Sequence, residues 1–232
     1  MGELLEYAPL LAEGTGVTVS LAVLSLALAT ALGALGAAAK LSGRRRFGWP
    51  AGVYTTIVRG VPDLVLILLI YFGGQRFLNV VGGALGLHHI EVSKFGAGVF
   101  AIGFIYGAYL TETFRGAYQS IPKGQGEAAR ALGVGRLETF RQVILPQLLR
   151  LALSGYSNVW MVLVKSTAVV SVIGLADLVG LADKAGKSTR QQFWFYLAVL
   201  LVYLAITIIS EQVLGRAEKR LNRGQEARGT PA

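Results

Sequence analysis

Residues 14–39 carry no charged side chain, and this run constrains the fold more than any other feature of the sequence. It is 26 residues long, whereas a helix that rises 1.5 Å per residue needs only about 20 residues to cross the hydrocarbon core of a bilayer. Charged residues make up 15% of the 232-residue chain, against roughly 25% in soluble domains, and hydrophobic residues make up 53%. A soluble enzyme is therefore nearly excluded, and the run predicts the first span of an all-α integral membrane protein.

Four further apolar segments predict four more transmembrane helices in a single transmembrane domain. The second segment is interrupted by Arg59, Pro62 and Asp63. Because proline disfavours helical geometry at the residue before it, we expect a break or kink near residues 60–62. The five predicted spans cover residues 14–39, 48–75, 95–118, 151–173 and 191–212.

Small residues recur at helical spacing within two of these spans. One series is Ala29, Gly33 and Ala37, and another is Gly103 and Gly107. Small side chains let helices approach closely in lipid, where no hydrophobic force drives them together. The pattern favours packing between helices of the same chain.

The basic residues lie in three clusters between the apolar runs, at residues 40–46, 123–150 and 216–223. Such clusters mark the cytoplasmic ends of membrane spans. The N-terminus is therefore predicted to be periplasmic and the C-terminus cytoplasmic, with external connections at 75–94 and 183–190. The formal charge of +9 forms no continuous basic face, which argues against a nucleic-acid partner.

The sequence offers neither a catalytic site nor a metal site. It contains no cysteine, which excludes disulfides, thiolate ligands and a cysteine nucleophile. Its two histidines, His88 and His89, stand together in a predicted external loop without a partner at ligand spacing. No serine–histidine pair can therefore form within the membrane, so an intramembrane enzyme is not expected.

The most specific pattern lies in the polar segment 119–150, which the basic residues place in the cytoplasm. A short helix is predicted over 127–132, ended by Gly133, and a second over 137–144, ended by Pro146. The spacing of this segment resembles the EAA loop of ABC importer permeases. The residues that carry the resemblance, and that it implies contact an ATPase, are Glu127, Ala128, Ala129, Gly133, Leu145 and Pro146.

Within the loop only Val143 departs from the family pattern, which prefers isoleucine at this position. Three other stretches of the sequence extend the resemblance. The stretches are YTTIVRGVPDL at 54–64, GFIYGAYLTETFRGA at 103–117 and KSTA at 165–168. They are similar to the histidine/lysine/arginine/ornithine permease subunits of the polar amino-acid branch. The resemblance implies a type I ABC importer permease fold with a cytoplasmic coupling helix, located in a bacterial inner membrane.

The same resemblance implies what the chain does and which proteins it works with. It implies the permease subunit of an ATP-driven importer of amino acids, with the basic ones (histidine, lysine, arginine and ornithine) as the expected substrates. The implied partners are a second permease subunit (a paralogue or an identical copy), two ABC ATPase subunits, a periplasmic amino-acid-binding protein and the lipid bilayer. ATP and Mg²⁺ would bind the ATPase subunits, so no cofactor and no chemistry are expected in this chain.

Ionisable residues within the spans are costly and by default mark either a pathway or a pair. Arg59 and Asp63 are four residues apart and Glu112 and Arg115 three apart, so each acid can neutralise its neighbour where the backbone is helical. The proline between the first two makes their pairing less certain. Asp63, just after that proline, can instead stabilise a half-helix N-terminus or meet the substrate.

The remaining pathway candidates also have more than one interpretation. Glu112 shares a helical face with Tyr109 and can meet a substrate amine or hold the inner gate. Lys165 can bind a carboxylate, pair with Asp177 or extend to the interface. The predicted substrate-pathway residues are Asp63, Glu112, Tyr109, Arg59, Arg115, Asn158 and Lys165.

Three alternatives stay open from the sequence alone. The first is an importer of the same class with an opine or a neutral polar amino acid as substrate. The second is a secondary transporter driven by an ion gradient, which explains the spans and the acids but leaves the EAA loop without a purpose. The third is a membrane scaffold with no pathway.

Overall fold

A computed structural model of the chain describes residues 6–86 and 91–226, with side chains as far as 221. Within these ranges every regular element is helical. The helices are α1 (Ala8–Leu41), α2 (Arg45–Gly60), α3 (Asp63–Ala84), α4 (Lys94–Gln119), α5 (Lys123–Ala131), α6 (Arg136–Ile173), α7 (Leu178–Thr189) and α8 (Gln192–Glu226). Five of them, α1, α3, α4, α6 and α8, are long and apolar enough to cross a membrane, which confirms the five-span, all-α prediction.

Close packing of α1 against α4 forms the centre of the bundle. A Cβ atom added to Gly33 would lie 2.6 Å from Cβ of Leu110, and one added to Gly36 would lie 2.3 Å from Oγ1 of Thr111. Ala29 on the same face of α1 is fully buried. The small residues therefore serve packing within the chain, as the sequence predicted.

We expect Gly33→Val to destabilise the folded protein by about 1–3 kcal/mol, because a larger side chain must displace the α4 backbone. Gly16→Val is the matched control, since it makes the same change on α1 at a position with no atom within 4 Å. Thermal unfolding in detergent measures both. Equal shifts in the two melting temperatures would contradict the packing role.

The break predicted near residues 60–62, within the second apolar segment, is confirmed. Helix α2 ends at Gly60, Val61 is extended with φ −109° and ψ 140°, and α3 begins directly after Pro62. The structure nevertheless divides the chain differently from the prediction of one kinked span over 48–75. Helix α2 is separate, and the segment that can cross the membrane is α3.

Helix α3 also continues through residues 76–84, which the sequence assigned to an external connection. The paired glycines 82 and 83 favoured a loop, but Phe77 and Val80 are each 66% exposed on the helix surface, as lipid-facing residues are. A π-helical turn, Leu69–Gly73, lies within α3. The histidines at 88 and 89 lie outside the described residues.

Helix α6 runs through Pro146, where the sequence predicted that a helix would end. Proline lacks an N–H group and its ring crowds the carbonyl four residues earlier. A π-helical turn, Thr139–Ile144, immediately precedes the α-helical part of α6 that contains Pro146. This wider turn accommodates the proline, so the predicted helix at 137–144 and the span at 151–173 are one continuous helix.

Residues 183–190 are largely helical in α7, so their assignment to a loop is wrong, and their external position stays a prediction. The side chain of Asp177 caps this helix by accepting a hydrogen bond from the N–H of Gly180 at 3.0 Å. Burial raises the pKa of the Asp177 carboxyl above its usual range. At the other end Arg190 terminates the helix with φ +57°.

Candidate coupling and substrate sites

The segment with the EAA pattern is a helix–turn–helix unit formed by α5, a glycine turn and the start of α6. Gly133 has φ +77°, a conformation that favours glycine. Its N–H donates to the carbonyl of Arg130 and the N–H of Val134 donates to the carbonyl of Ala129, both at 3.0 Å. These two bonds form a Schellman motif, which fixes how the chain leaves α5.

This turn presents an exposed, partly apolar surface. Glu127 and Ala128 are exposed, whereas Ala129 is buried. Beside the turn, Leu132 and Leu137 are 82% and 69% exposed, although leucine is usually buried. Large apolar side chains at the tip of a rigid turn suit contact with another protein, and the sequence analysis did not single out either leucine. On α6, Leu145 is half-buried and Pro146 is exposed.

Asp63 is held by side chains from two other helices. One of its carboxylate oxygens accepts hydrogen bonds from the hydroxyl of Tyr106 at 2.8 Å and from that of Ser166 at 3.3 Å. The two hydroxyls also lie within hydrogen-bonding distance of each other, and with one proton each they make two of these three bonds at a time. Because Tyr106 lies midway along α4, this carboxylate lies near the middle of the bundle, at the point where the backbone is broken between α2 and α3.

The possible pairing of Arg59 with Asp63 does not form. The Arg59 guanidinium lies over the ring of Tyr109, 5.3 Å from its centroid, which is a cation–π contact. The rings of Tyr109 and Tyr106 stack with centroids 5.5 Å apart. The helix break explains the absence of the pair, because the four-residue spacing brings side chains together only on a continuous helix.

Glu112 is the centre of an ion-pair network near the end of α4. It pairs with Arg115, whose Nε and Nη2 atoms lie 2.9 and 2.8 Å from a carboxylate oxygen, as the three-residue spacing allows. It also pairs with Lys40 of α1, which in turn donates to the hydroxyl of Thr55 on α2 at 2.6 Å. The network therefore joins three helices.

A polar cavity of about 440 Å³ lies beside this network and extends towards the helix break. It brings together Glu112, Tyr109 and Arg59, three of the predicted pathway residues. It is lined by Lys40, Thr55, Thr56, Arg59, Gly60, Tyr109 and Glu112.

Two predicted pathway residues lie apart from both acids. Asn158 and Lys165 are exposed on α6, and the residues that the structure describes give neither of them a hydrogen bond or an ion pair. The suggested pair between Lys165 and Asp177 does not form, because Asp177 is fully buried where it caps α7. Lys165 instead lines an apolar cavity with Tyr203 and Thr207 of α8.

Three residues that contact the acids were not predicted from the sequence: Lys40, Tyr106 and Ser166. In the sequence, Lys40 belongs to a basic cluster that marks topology. Tyr106 and Ser166 both fall in stretches that carry the family resemblance, but neither has a charge to draw attention to it. A tyrosine and a serine at mid-depth in apolar helices need hydrogen-bond partners, and that requirement was the available signal.

Residues 14–223 match the family model of binding-protein-dependent transport system inner membrane components. The chain belongs to this family. Among its relatives is the histidine/lysine/arginine/ornithine transport system permease protein HisQ of Salmonella typhimurium, 46% identical over 218 residues, which are 94% of this chain and 96% of the relative. The arginine ABC transporter permease protein ArtQ of Haemophilus influenzae is 39% identical with the same coverage. The octopine transport system permease protein OccQ of Rhizobium radiobacter is 42% identical over 91% of this chain and 90% of its own.

A solved structure supports the same assignment. The crystal structure of an amino acid ABC transporter with histidines is 33% identical in sequence, with a TM-score of 0.81 over 94% of this chain and 96% of that one. The expected importer permease fold is thus confirmed. This inner membrane component is a permease subunit, not an enzyme, and ATP hydrolysis is done by separate ATPase subunits. Its importer also includes a substrate-binding protein and resides in the bacterial inner membrane.

Proposed function

We propose that this permease subunit carries basic amino acids, and that the carboxylate of Asp63 is what favours their side-chain cation. Placing an unpaired cation in the low dielectric of a membrane interior is unfavourable in free energy, and a facing carboxylate offsets this free-energy cost. Asp63 lies at a helix break, which is where transporters commonly form their binding sites. The relatives named for histidine, lysine, arginine and ornithine support this choice of substrate.

The polar cavity at Glu112 serves a second and more general step. Glu112 is already neutralised by Lys40 and Arg115, so it is poorly suited to select a cationic side chain. Its network instead ties α1, α2 and α4 together at the end that carries the coupling loop. We assign it to an inner gate that every substrate must pass, with Tyr109 and Arg59 lining the approach. Asn158 and Lys165 lie apart from both acids, so we assign them to a separate part of the pathway on α6, where Lys165 offers a cation to the substrate carboxylate.

The coupling loop passes conformational change between the ATPase subunits and the spans. In this proposal the transporter contains a second permease subunit, either a paralogue or a second copy, two ATPase subunits and a periplasmic binding protein. The exposed surface of α5 and the Gly133 turn fits a groove on one ATPase subunit. ATP-driven closure of the ATPases then moves α6, which continues without a break from this turn into the membrane.

The substrate proposal is tested by ATPase assays on the purified complex with its binding protein. The panel contains lysine, arginine, ornithine and histidine, together with octopine, nopaline and glutamine. Octopine and nopaline are included because permeases named for their transport are 42% and 40% identical to this chain. We expect the basic amino acids to stimulate hydrolysis most. Stimulation by glutamine or by an opine alone would overturn the substrate assignment and leave the permease assignment intact.

The proposed topology predicts opposite accessibility for two exposed positions. The natural chain has no cysteine, so single cysteines can be labelled without background from it. We expect Ala128→Cys to react only when a thiol reagent reaches the cytoplasm, and Lys184→Cys to react with an impermeant reagent in the periplasm. If the cysteine at 128 is reached only from the periplasm, both the topology and the coupling role fail.

A further inference from the structure

An apolar groove lies outside both sites, between α1, α4 and α6, at the end of the bundle that carries the coupling loop. Its volume is about 470 Å³. Helix α1 contributes a stripe of small side chains that includes Ala34 and Ala38, both exposed. The opposite walls are large and apolar, with Phe114 from α4 and Leu148 from α6. No contact described above fills this groove.

The mouth of the groove adjoins a cluster of unpaired positive charge. Ser42 lines the groove, and the exposed residues Arg44, Arg45 and Arg46 follow it in the chain after one glycine. None of the three forms an ion pair with an acid in the described part of the chain. Next to them Trp49 is 66% exposed, and tryptophan concentrates at the membrane–water interface. The groove is thus apolar at membrane depth and cationic at the interface.

The size of the groove favours an occupant thinner than a helix. A helix of about 11 Å diameter fills roughly 500 Å³ in each 5.4 Å turn, so the groove would hold slightly less than a single turn. An extended hydrocarbon chain is thinner, and it has no backbone polar groups that need hydrogen-bond partners. The charge cluster requires that this chain be attached to an anion.

We propose that an anionic phospholipid from the surrounding bilayer occupies the groove. Its acyl chain lies between α1, α4 and α6, and its phosphate binds the cluster of Arg44, Arg45 and Arg46. The lipid proposal rests on the proposed function in one respect, the choice of leaflet. The topology proposed above places the groove in the cytoplasmic leaflet. Basic clusters directly beyond a membrane span attract anionic lipid in this way.

The position of the groove links this lipid to coupling. Phe140 and Leu145 line the groove and lie on α6 just beyond the Gly133 turn. A bound acyl chain therefore supports the base of the unit that contacts the ATPase. We expect the stimulation of ATPase activity by substrate to rise with the anionic lipid content of the membrane.

Native mass spectrometry of the delipidated complex measures the binding. The probes are phosphatidylglycerol and phosphatidylcholine with identical acyl chains. We expect phosphatidylglycerol to bind roughly tenfold more tightly, from the attraction of three arginines for an anionic headgroup. The triple variant Arg44→Gln, Arg45→Gln, Arg46→Gln should abolish this preference. The matched control removes three charges from the far end of α8 by Arg216→Gln, Lys219→Gln and Arg220→Gln, and it should retain the preference.

A variant that fills the groove separates the acyl chain from the headgroup. Ala38→Leu should weaken the binding of both lipids, and the mass spectrum itself reports whether the complex is assembled. Equal affinity for the two lipids in the natural protein, or equal loss of preference in both triple variants, would overturn the proposal. Efficient cross-linking from Ala38→Cys to the second permease subunit would also overturn it, because a protein would then occupy the groove.

Discussion

Gly133→Asp is expected to leave the permease inserted in the membrane while reducing ATP-driven uptake at least about tenfold, the effect of losing roughly 1.4 kcal/mol at a contact. Gly133 terminates α5 with φ +77°, and its surroundings within the chain are empty to 4 Å. The variant therefore adds bulk and charge at the proposed ATPase contact and strains the turn that orients it. Uptake in vesicles measures the effect, and cross-linking from Ala128→Cys to the ATPase should weaken in parallel.

Gly86→Asp is the matched control for this variant. Gly86 has φ +75° and is likewise free of neighbouring atoms within 4 Å, but it lies just beyond the C-terminal end of α3 and not in the coupling loop. The two variants impose the same strain and charge, so only the location differs. Normal uptake by Gly133→Asp, or equal losses in the two variants, would show that the turn at 133 does not couple the subunits.

Asp63→Asn is expected to reduce arginine and lysine uptake about 30-fold, which corresponds to roughly 2 kcal/mol, the lower end for removing one member of a buried charge pair. Uptake of a neutral analogue should fall much less. Asparagine keeps an oxygen that can accept from Tyr106 and Ser166, so the local structure should persist. Glu112→Gln should instead reduce the uptake of every substrate, because the inner gate precedes release of all of them.

Tyr106→Phe is the control for the hydrogen bonds at this site. It removes the 2.8 Å bond to Asp63 but keeps the charge, so charged and neutral substrates should be affected equally. Equal losses of arginine and neutral-analogue uptake in Asp63→Asn, with the complex assembled, would return Asp63 to a purely structural role at the start of α3. If Glu112→Gln transports normally, the gate assignment fails.

The sequence predicted the features of the fold that depend on local chemistry. An uncharged run of 26 residues has few alternatives to a membrane span, and α1 covers it entirely. Proline fixes the break after Gly60 because it acts on its own neighbours. Helix α7 was missed because its stability depends on tertiary burial, with Ala182 and Ala185 packed in a core that also contains Phe195 of α8.

The candidate site likewise combines contacts that local spacing predicts with contacts that depend on tertiary packing. The three-residue spacing indicated that Glu112 and Arg115 could pair, since both lie on α4. Lys40 joins them from 72 residues away, and Ser166 reaches Asp63 across 103 residues. Only the packing of α1, α3, α4 and α6 brings these side chains together, and a single sequence carries no direct record of that packing. The wider π-helical turn before Pro146 is local, but helix propensity predicted an end at the proline and not this accommodation of it.

Uptake by reconstituted vesicles distinguishes an ATP-driven importer from a secondary transporter. The complete transporter, with its binding protein, is incorporated into liposomes and supplied with labelled arginine. We expect uptake to require ATP on the side of the coupling loop and to continue when an uncoupler dissipates the ion gradients. Uptake that proceeds without the ATPase subunits and stops when the uncoupler is added would contradict this expectation, and would make the protein a secondary transporter.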